Sequence, residues 1–174
     1  MKKYGIQAAL LAAMVFFTTA YVMHIPIGIG SGYIHLGDVV VYLAAALLPT
    51  PYAIAAAAIG AGLADVLTGA AVWALPTIII KSVMVLPFTA KNPKLLCRRN
   101  WIAPLISGCV CVGGYFLAEI AILMLSGSAL AAAAGGALVS VLPNTMQAVS
   151  GMVGFVLLAL AMDRLDLKNR LKFQ

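Results

Sequence analysis

Polar side chains recur at helical spacing inside two of the long apolar stretches of this sequence. Trp73, Thr77 and Lys81 follow one another at intervals of four, which places an aromatic ring, a hydroxyl and an ammonium group on one helical face. Tyr115 and Glu119 have the same spacing in a later stretch. An ionisable group within a bilayer costs at least about 2.5 kcal/mol, so each requires a partner or a function.

Further polar groups lie at the same ends of other apolar stretches. Asn144 and Gln147 are three residues apart, so their amides share a helical face. Asp38 follows Gly37 at a predicted helix start, where a carboxylate is favourable. The preceding segment, 24–37, is glycine-rich and contains Tyr33 and His35. We interpret this segment as a lid over a cavity.

The predicted depths of these side chains coincide in the outer half of the protein. Donors, acceptors and rings in a mostly apolar pocket are typical of a site for a small polar molecule. Structural readings stay open: Lys81 as an ion-pair partner of Asp65 or Glu119, Asp38 as a helix cap, and Asp65 as structural. Trp73 also suits a membrane-interface position, and the two amides suit interhelical hydrogen bonds. His35 has no second ligand at metal spacing.

Composition identifies the solvent as lipid. Of 174 residues, 64% are hydrophobic and 9% charged, with a mean hydropathy of +1.08, which excludes an ordinary soluble domain. The sequence predicts one all-α membrane domain, 1–174, without a nucleic-acid partner. Breaks at Gly, Pro and charge predict six transmembrane helices near 5–23, 38–48, 52–68, 72–88, 101–125 and 138–162. Lys2 and Lys3 before the first span also suit a signal peptide.

Charge placement predicts the orientation. Six spans place both termini, the 49–51 turn and the 89–100 loop on one side, with ten of the eleven basic residues. This side is predicted to be cytoplasmic by the positive-inside rule. The opposite loops, 24–37, 69–71 and 126–137, contain no Lys or Arg, and the alanine run at 131–134 is read as part of the last of these loops.

Four segments together resemble a known family of membrane proteins. They are YIHLGDVVVYLAAALLPTPYAIAAAAIGAGLADVLTG, WALPTIIIKSVM, GGYFLAEIAI and LPNTMQAVSGMVG. In order and spacing the sequence resembles the substrate-binding S components of energy-coupling factor (ECF) vitamin transporters, in the group that includes riboflavin, pyridoxine and hydroxymethylpyrimidine binders.

The resemblance implies a six-helix subunit of the cell membrane that captures a vitamin near the outer surface and has no enzymatic activity or cofactor. It implies ATP-driven uptake with a transmembrane coupling subunit and two ATPase subunits, since no G-x-x-x-x-G-K motif is present here. Helix 1 would dock on the coupling subunit through small residues at intervals of four. The pairs in this sequence are Ala8 with Ala12 and Ala9 with Ala13.

The predicted pocket favours a flat heteroaromatic vitamin with hydroxyl groups, pyridoxine or hydroxymethylpyrimidine. Riboflavin also fits in chemistry, and Lys81 with His35 would suit the carboxylate of pantothenate. The main alternative is a self-sufficient, proton-coupled carrier with Asp65, Lys81 and Glu119 as a relay, although no internal repeat is present. An intramembrane serine protease is disfavoured because this sequence has no G-x-S-x-G motif. A purely structural scaffold is disfavoured because it would not explain the polar residues inside the apolar stretches.

Overall fold

A computed structural model describes residues 2–22, 25–26, 33–34 and 36–170. Side chains are not described for Lys2 or for the residues at 25–26 and 33–34. The described helices are α1 (Lys2–Ala20), α2 (Gly37–Leu47), α3 (Thr50–Leu67), α4 (Ala71–Val85), α5 (Arg98–Leu125), α6 (Leu130–Arg164) and α7 (Leu167–Arg170).

Four of the described helices, α1, α3, α5 and α6, are long and apolar enough to cross a membrane. The helices α2 and α4 are equally apolar but have only 11 and 15 residues. Many large apolar side chains of the long helices are exposed on the outside of the bundle, where lipid is the compatible solvent. The predicted all-α polytopic membrane protein is confirmed.

The short helix α2 lies at the centre of the bundle. All of its residues are buried, and it packs against α1, α3, α4 and α6. Its 11 residues extend only about 16 Å. The helix ends before Pro49, whose missing N–H and restricted φ favour the turn into α3. Because α2 touches four neighbours, a polar residue in its first turn is accessible to several of them.

The predicted start of the last helix was wrong. We expected a loop at 126–137 and Pro143 in the first helical turn, whereas α6 begins at Leu130 and contains Pro143 in its interior. Alanine has the highest helix propensity, so the run at 131–134 continues the helix outward. A proline inside a membrane helix is tolerated because neighbouring groups satisfy the freed carbonyl.

One end of the bundle, here called the basic end, is fixed by two buried hydrogen-bond centres. The Lys168 ammonium donates to the carbonyls of Ala46, Ala90 and Asn92, and burial lowers the pKa of this amine. The carboxylate of Asp163 accepts from the backbone N–H groups of residues 95 and 96. These contacts confirm that the end of α2, the 86–97 loop and the C-terminal segment share one side.

The opposite end carries the α3–α4 and α5–α6 turns and the segment before α2. Within that segment, β1 (Ile25–Pro26) pairs antiparallel with β2 (Tyr33–Ile34), in the register Ile25 with Ile34 and Pro26 with Tyr33. The backbone of β2 lies against α6. Within the predicted lid, 24–37, the structure describes these four positions together with Leu36 and Gly37.

Candidate ligand-binding site

A buried ion pair joins α4 to the start of α2. Lys81 Nζ donates to Asp38 Oδ1, and the two side chains are 3% and 0% exposed. On the other carboxylate oxygen, Gln147 Nε2 of α6 donates to Asp38 Oδ2 at 3.3 Å. Three helices therefore meet at one carboxylate. Asp38 is more than a helix cap, because its side chain is the acceptor for both partners.

Two glycines of α6 allow α2 to come this close. A Cβ on Gly151 would lie 2.8 Å from Asp38 Cβ, and one on Gly154 would lie 2.5 Å from a methyl group of Val39. Real Cβ atoms do not approach neighbours at such distances. Because Gly151 and Gly154 have no side chains, α6 can approach the start of α2 closely. This close approach brings Gln147, which is also on α6, within hydrogen-bonding distance of Asp38.

Aromatic and sulfur groups surround the Lys81 ammonium. Lys81 Nζ lies 5.5 Å from the centre of the Tyr115 ring and 4.0 Å from Cys111 Sγ, both on α5. An ammonium within about 6 Å of an aromatic face gains a cation–π attraction. Tyr42, one helical turn below Asp38, is fully buried and stacks on Phe88. This aromatic packing separates the ion pair from the basic end.

A second set of polar contacts runs beside the ion pair. The hydroxyls of Thr77 and Tyr115 are 3.0 Å apart, and the buried side chain of Asp65, at the end of α3, lies beside Thr77. One turn before Thr77, the Trp73 ring lies 6.1 Å from the Tyr115 ring at an angle of 57°. The two sets of contacts meet at Tyr115.

We call Asp38, Asp65, Thr77, Lys81, Tyr115 and Gln147 the polar cluster. It offers hydroxyl, amide and carboxylate groups beside two aromatic rings, which suits a neutral, flat molecule with polar edges. The charge of Lys81 is already compensated by Asp38. A ligand carboxylate would have to displace that buried carboxylate, so the cluster does not favour an anion.

The structure brings together most, but not all, of the predicted site residues. Asp38, Thr77, Lys81, Tyr115 and Gln147 are joined by direct contacts, and Trp73 packs on Tyr115. Asn144 and Glu119 are half-buried, and among the described residues neither forms a side-chain hydrogen bond or ion pair. His35 and the Tyr33 side chain lie outside the described residues.

Sequence reasoning missed the partner of Lys81. The pairs considered were Asp65 and Glu119, whereas the structure pairs Lys81 with Asp38. The proposed relay of Asp65, Lys81 and Glu119 is therefore not assembled among the described residues. Cys111 and Tyr42 were also missed, since an isolated Cys or Tyr in an apolar stretch has no distinctive spacing. Their positions follow only from the packing of α2 against α4 and α6, and of α5 against the same two helices.

A separate apolar groove of about 530 Å³ lies between α1 and α3 on the outside of the bundle. All four predicted docking alanines line it, together with Gly5, Phe16, Tyr52, Ala55, Ala56, Ile59 and Leu63. Ala8 and Ala12 are buried against α3, whereas Ala9 and Ala13 are exposed. Gly60 allows the close crossing, because a Cβ there would lie 2.5 Å from the Ala12 carbonyl oxygen.

A polytopic helical bundle of this composition, with a buried polar cluster among its helices, is a membrane protein with a candidate site for a small polar molecule. The family profile described as "ECF-type riboflavin transporter, S component" matches residues 3–164 of the chain. The chain belongs to this family of transporter subunits, which is not an enzyme family. A search of curated proteins finds no match.

Proposed function

We propose that this chain is the substrate-binding subunit of an ECF-type importer, and that it captures a neutral heteroaromatic vitamin at the polar cluster. The observation that supports this most directly is that Lys81 and Gln147, from two different helices, both donate to the buried carboxylate of Asp38. The Lys81 ammonium also lies against the ring of Tyr115. A bundle stabilised by apolar packing alone has no need of such a cluster. Family membership supplies the transport context.

The ligand class follows from the charge balance of the cluster. The ring vitamins riboflavin, pyridoxine and hydroxymethylpyrimidine present flat faces for Trp73 and Tyr115, and polar edges for Thr77 and Gln147. Riboflavin is the vitamin in the family's description. Pantothenate, which we also considered from the sequence, is disfavoured because Lys81 is already paired with Asp38.

The lid proposal assigns Tyr33, His35 and Asn144 to ligand closure. The contact of the β2 backbone with α6 supports this assignment, since α6 also carries Asn144 and Gln147. A pairing of only two residues per strand is weak on its own, so a ligand beneath it would add stability to the closed form. Glu119, one turn beyond Tyr115, belongs to the outer rim in this proposal.

Coupling to ATP hydrolysis is assigned to the groove between α1 and α3. Its small residues allow close approach of a helix, and its accessible alanines are Ala9 and Ala13. In this proposal the occupant is a helix of the transmembrane coupling subunit, which is joined to two ATPase subunits. The basic end then faces the cytoplasm of a cell membrane, and the polar cluster opens to the outside.

Uptake of radiolabelled riboflavin, pyridoxine or hydroxymethylpyrimidine into cells tests the importer proposal. Cells that produce the chain with a coupling subunit and ATPases should accumulate one of these vitamins. Cells that produce it with the same module carrying an inactive ATPase should not. Accumulation that persists without ATPase activity would identify the self-sufficient carrier instead.

A further inference from the structure

Asp65 has a buried carboxylate oxygen without a hydrogen-bond partner. The residue lies in the last turn of α3 and is 6% exposed, and its Oδ2 atom accepts no hydrogen bond from any described residue. Buried polar atoms are almost always paired, so such an exception requires an explanation. The carboxylate of Asp38, by contrast, accepts on both oxygens.

The neighbours of Asp65 connect it to the polar cluster. Its side chain lies beside Thr77, and the Thr77 hydroxyl lies 3.0 Å from the Tyr115 hydroxyl. A hydroxyl has a single proton to donate. If Thr77 donates its proton to the Asp65 carboxylate, the Tyr115 hydroxyl must donate to Thr77. The acceptors that these hydrogen bonds leave free are then Asp65 Oδ2 and the hydroxyl oxygen of Tyr115.

A resident cation does not account for the free oxygen. Hard cations take about six oxygen ligands, and the described residues contain no group of three or more Asp, Glu, His or Cys side chains arranged for a metal. Lys81, the nearby cation, is paired with Asp38. We therefore take a hydrogen-bond donor as the partner of this oxygen in the proposal below.

We propose that Asp65 is a ligand-contacting residue, and that its free oxygen accepts a hydrogen bond from an N–H or O–H group on the edge of the vitamin ring. This inference rests on the proposed function. Trp73 lies one turn before Thr77 on the same face of α4, so in this proposal a ring stacked on Trp73 turns its edge toward Thr77 and Asp65. The chemistry selects ligands with a donor in the ring plane: an imide N–H, a phenolic O–H or an exocyclic amine. Asp65 thereby becomes a specificity-determining residue.

The test compares affinities in detergent for riboflavin, pyridoxine and hydroxymethylpyrimidine, and for their analogues methylated at the imide nitrogen, the phenolic oxygen or the amine. Asp65→Leu, which removes both carboxylate oxygens at similar side-chain volume, should lower the affinity for the vitamin that the wild type binds by about ten- to a hundredfold, the range for a hydrogen bond to a charged group. Thr68→Ala is the matched control, since the exposed Thr68 hydroxyl bonds only the Ala64 carbonyl of its own helix.

The methylated analogue distinguishes contact from a structural role. It should bind the wild type weakly and lose little further affinity in Asp65→Leu, because the hydrogen bond is already absent. Equal affinity of Asp65→Leu and wild type for the vitamin, or an equal loss of affinity for vitamin and analogue, would overturn this inference and leave the proposed function standing. Absence of wild-type binding to all three vitamins would overturn the proposed function, and this inference with it.

Discussion

Lys81 of α4 and Asp38 of α2 form a buried ion pair across 43 positions of sequence. The pair ties α2, which is buried along its whole length, to the neighbouring helix α4. Gln147 extends the connection to α6. Because Asp38 immediately follows the predicted lid, a change at the polar cluster acts directly on the base of that lid.

Neutralising one partner of this pair should destabilise the protein. Lys81→Met leaves the Asp38 carboxylate buried without its countercharge, which costs about 3–5 kcal/mol in proteins. The double variant Lys81→Met/Asp38→Asn removes both charges and should recover much of the lost thermal stability in detergent. Neither variant should bind vitamin with wild-type affinity. A double variant no more stable than Lys81→Met would contradict a direct pairing.

The close approach of α6 to α2 should not tolerate a methyl group at Gly151. Gly151→Ala places a Cβ 2.8 Å from Asp38 Cβ, and such overpacking costs about 1–3 kcal/mol. The expected results are a lower melting temperature and weaker vitamin binding. The control is Gly113→Ala in α5, where a Cβ meets nothing within 4 Å. Unchanged binding in both variants would show that the Asp38 position does not matter to the ligand.

Lys168 should contribute to stability and not to binding. The residue is 2% exposed, and its ammonium group donates to three backbone carbonyls at the basic end. Lys168→Met leaves these buried acceptors without their donor, at about 1–3 kcal/mol for each group left unsatisfied. The melting temperature should fall while vitamin affinity is retained, whereas Lys94→Met, at an exposed lysine, should change neither. A loss of affinity in folded Lys168→Met would place the ligand elsewhere.

Filling the α1–α3 groove should separate binding from uptake. Ala9→Leu/Ala13→Leu adds bulk at the two exposed alanines that line the groove, so the coupling helix should no longer approach. Vitamin binding in detergent should be unchanged and cellular uptake abolished. Ala121→Leu/Ala161→Leu, at exposed positions of α5 and α6, is the control and should transport normally. Normal uptake by the groove double variant would remove the groove from the coupling surface.

The sequence predicted the helices well because apolar runs bounded by Gly, Pro and charge have few alternative structures in lipid. The prediction was wrong at the start of α6. The small residues at 126–137 were interpreted as a loop, but the high helix propensity of alanine lets the helix begin at Leu130. Helical spacing placed Thr77 with Lys81, since such pairs depend on one helix alone.

Pairings between helices were harder to predict. The partner of Lys81 depends on the central position of α2, which the shortness of that helix indicates only indirectly. The free oxygen of Asp65 was not predictable either, because it reflects which neighbours are absent after packing. The structure therefore changed our interpretation of Asp65 from a structural residue to a proposed ligand contact.

Native mass spectrometry of the detergent-purified protein, with release and identification of any bound molecule, tests the central claim most directly. The account predicts one neutral ring vitamin per chain, retained by the wild type and lost in Lys81→Met/Asp38→Asn. A wild-type protein that carries no such molecule, even after incubation with riboflavin, pyridoxine and hydroxymethylpyrimidine, would contradict it.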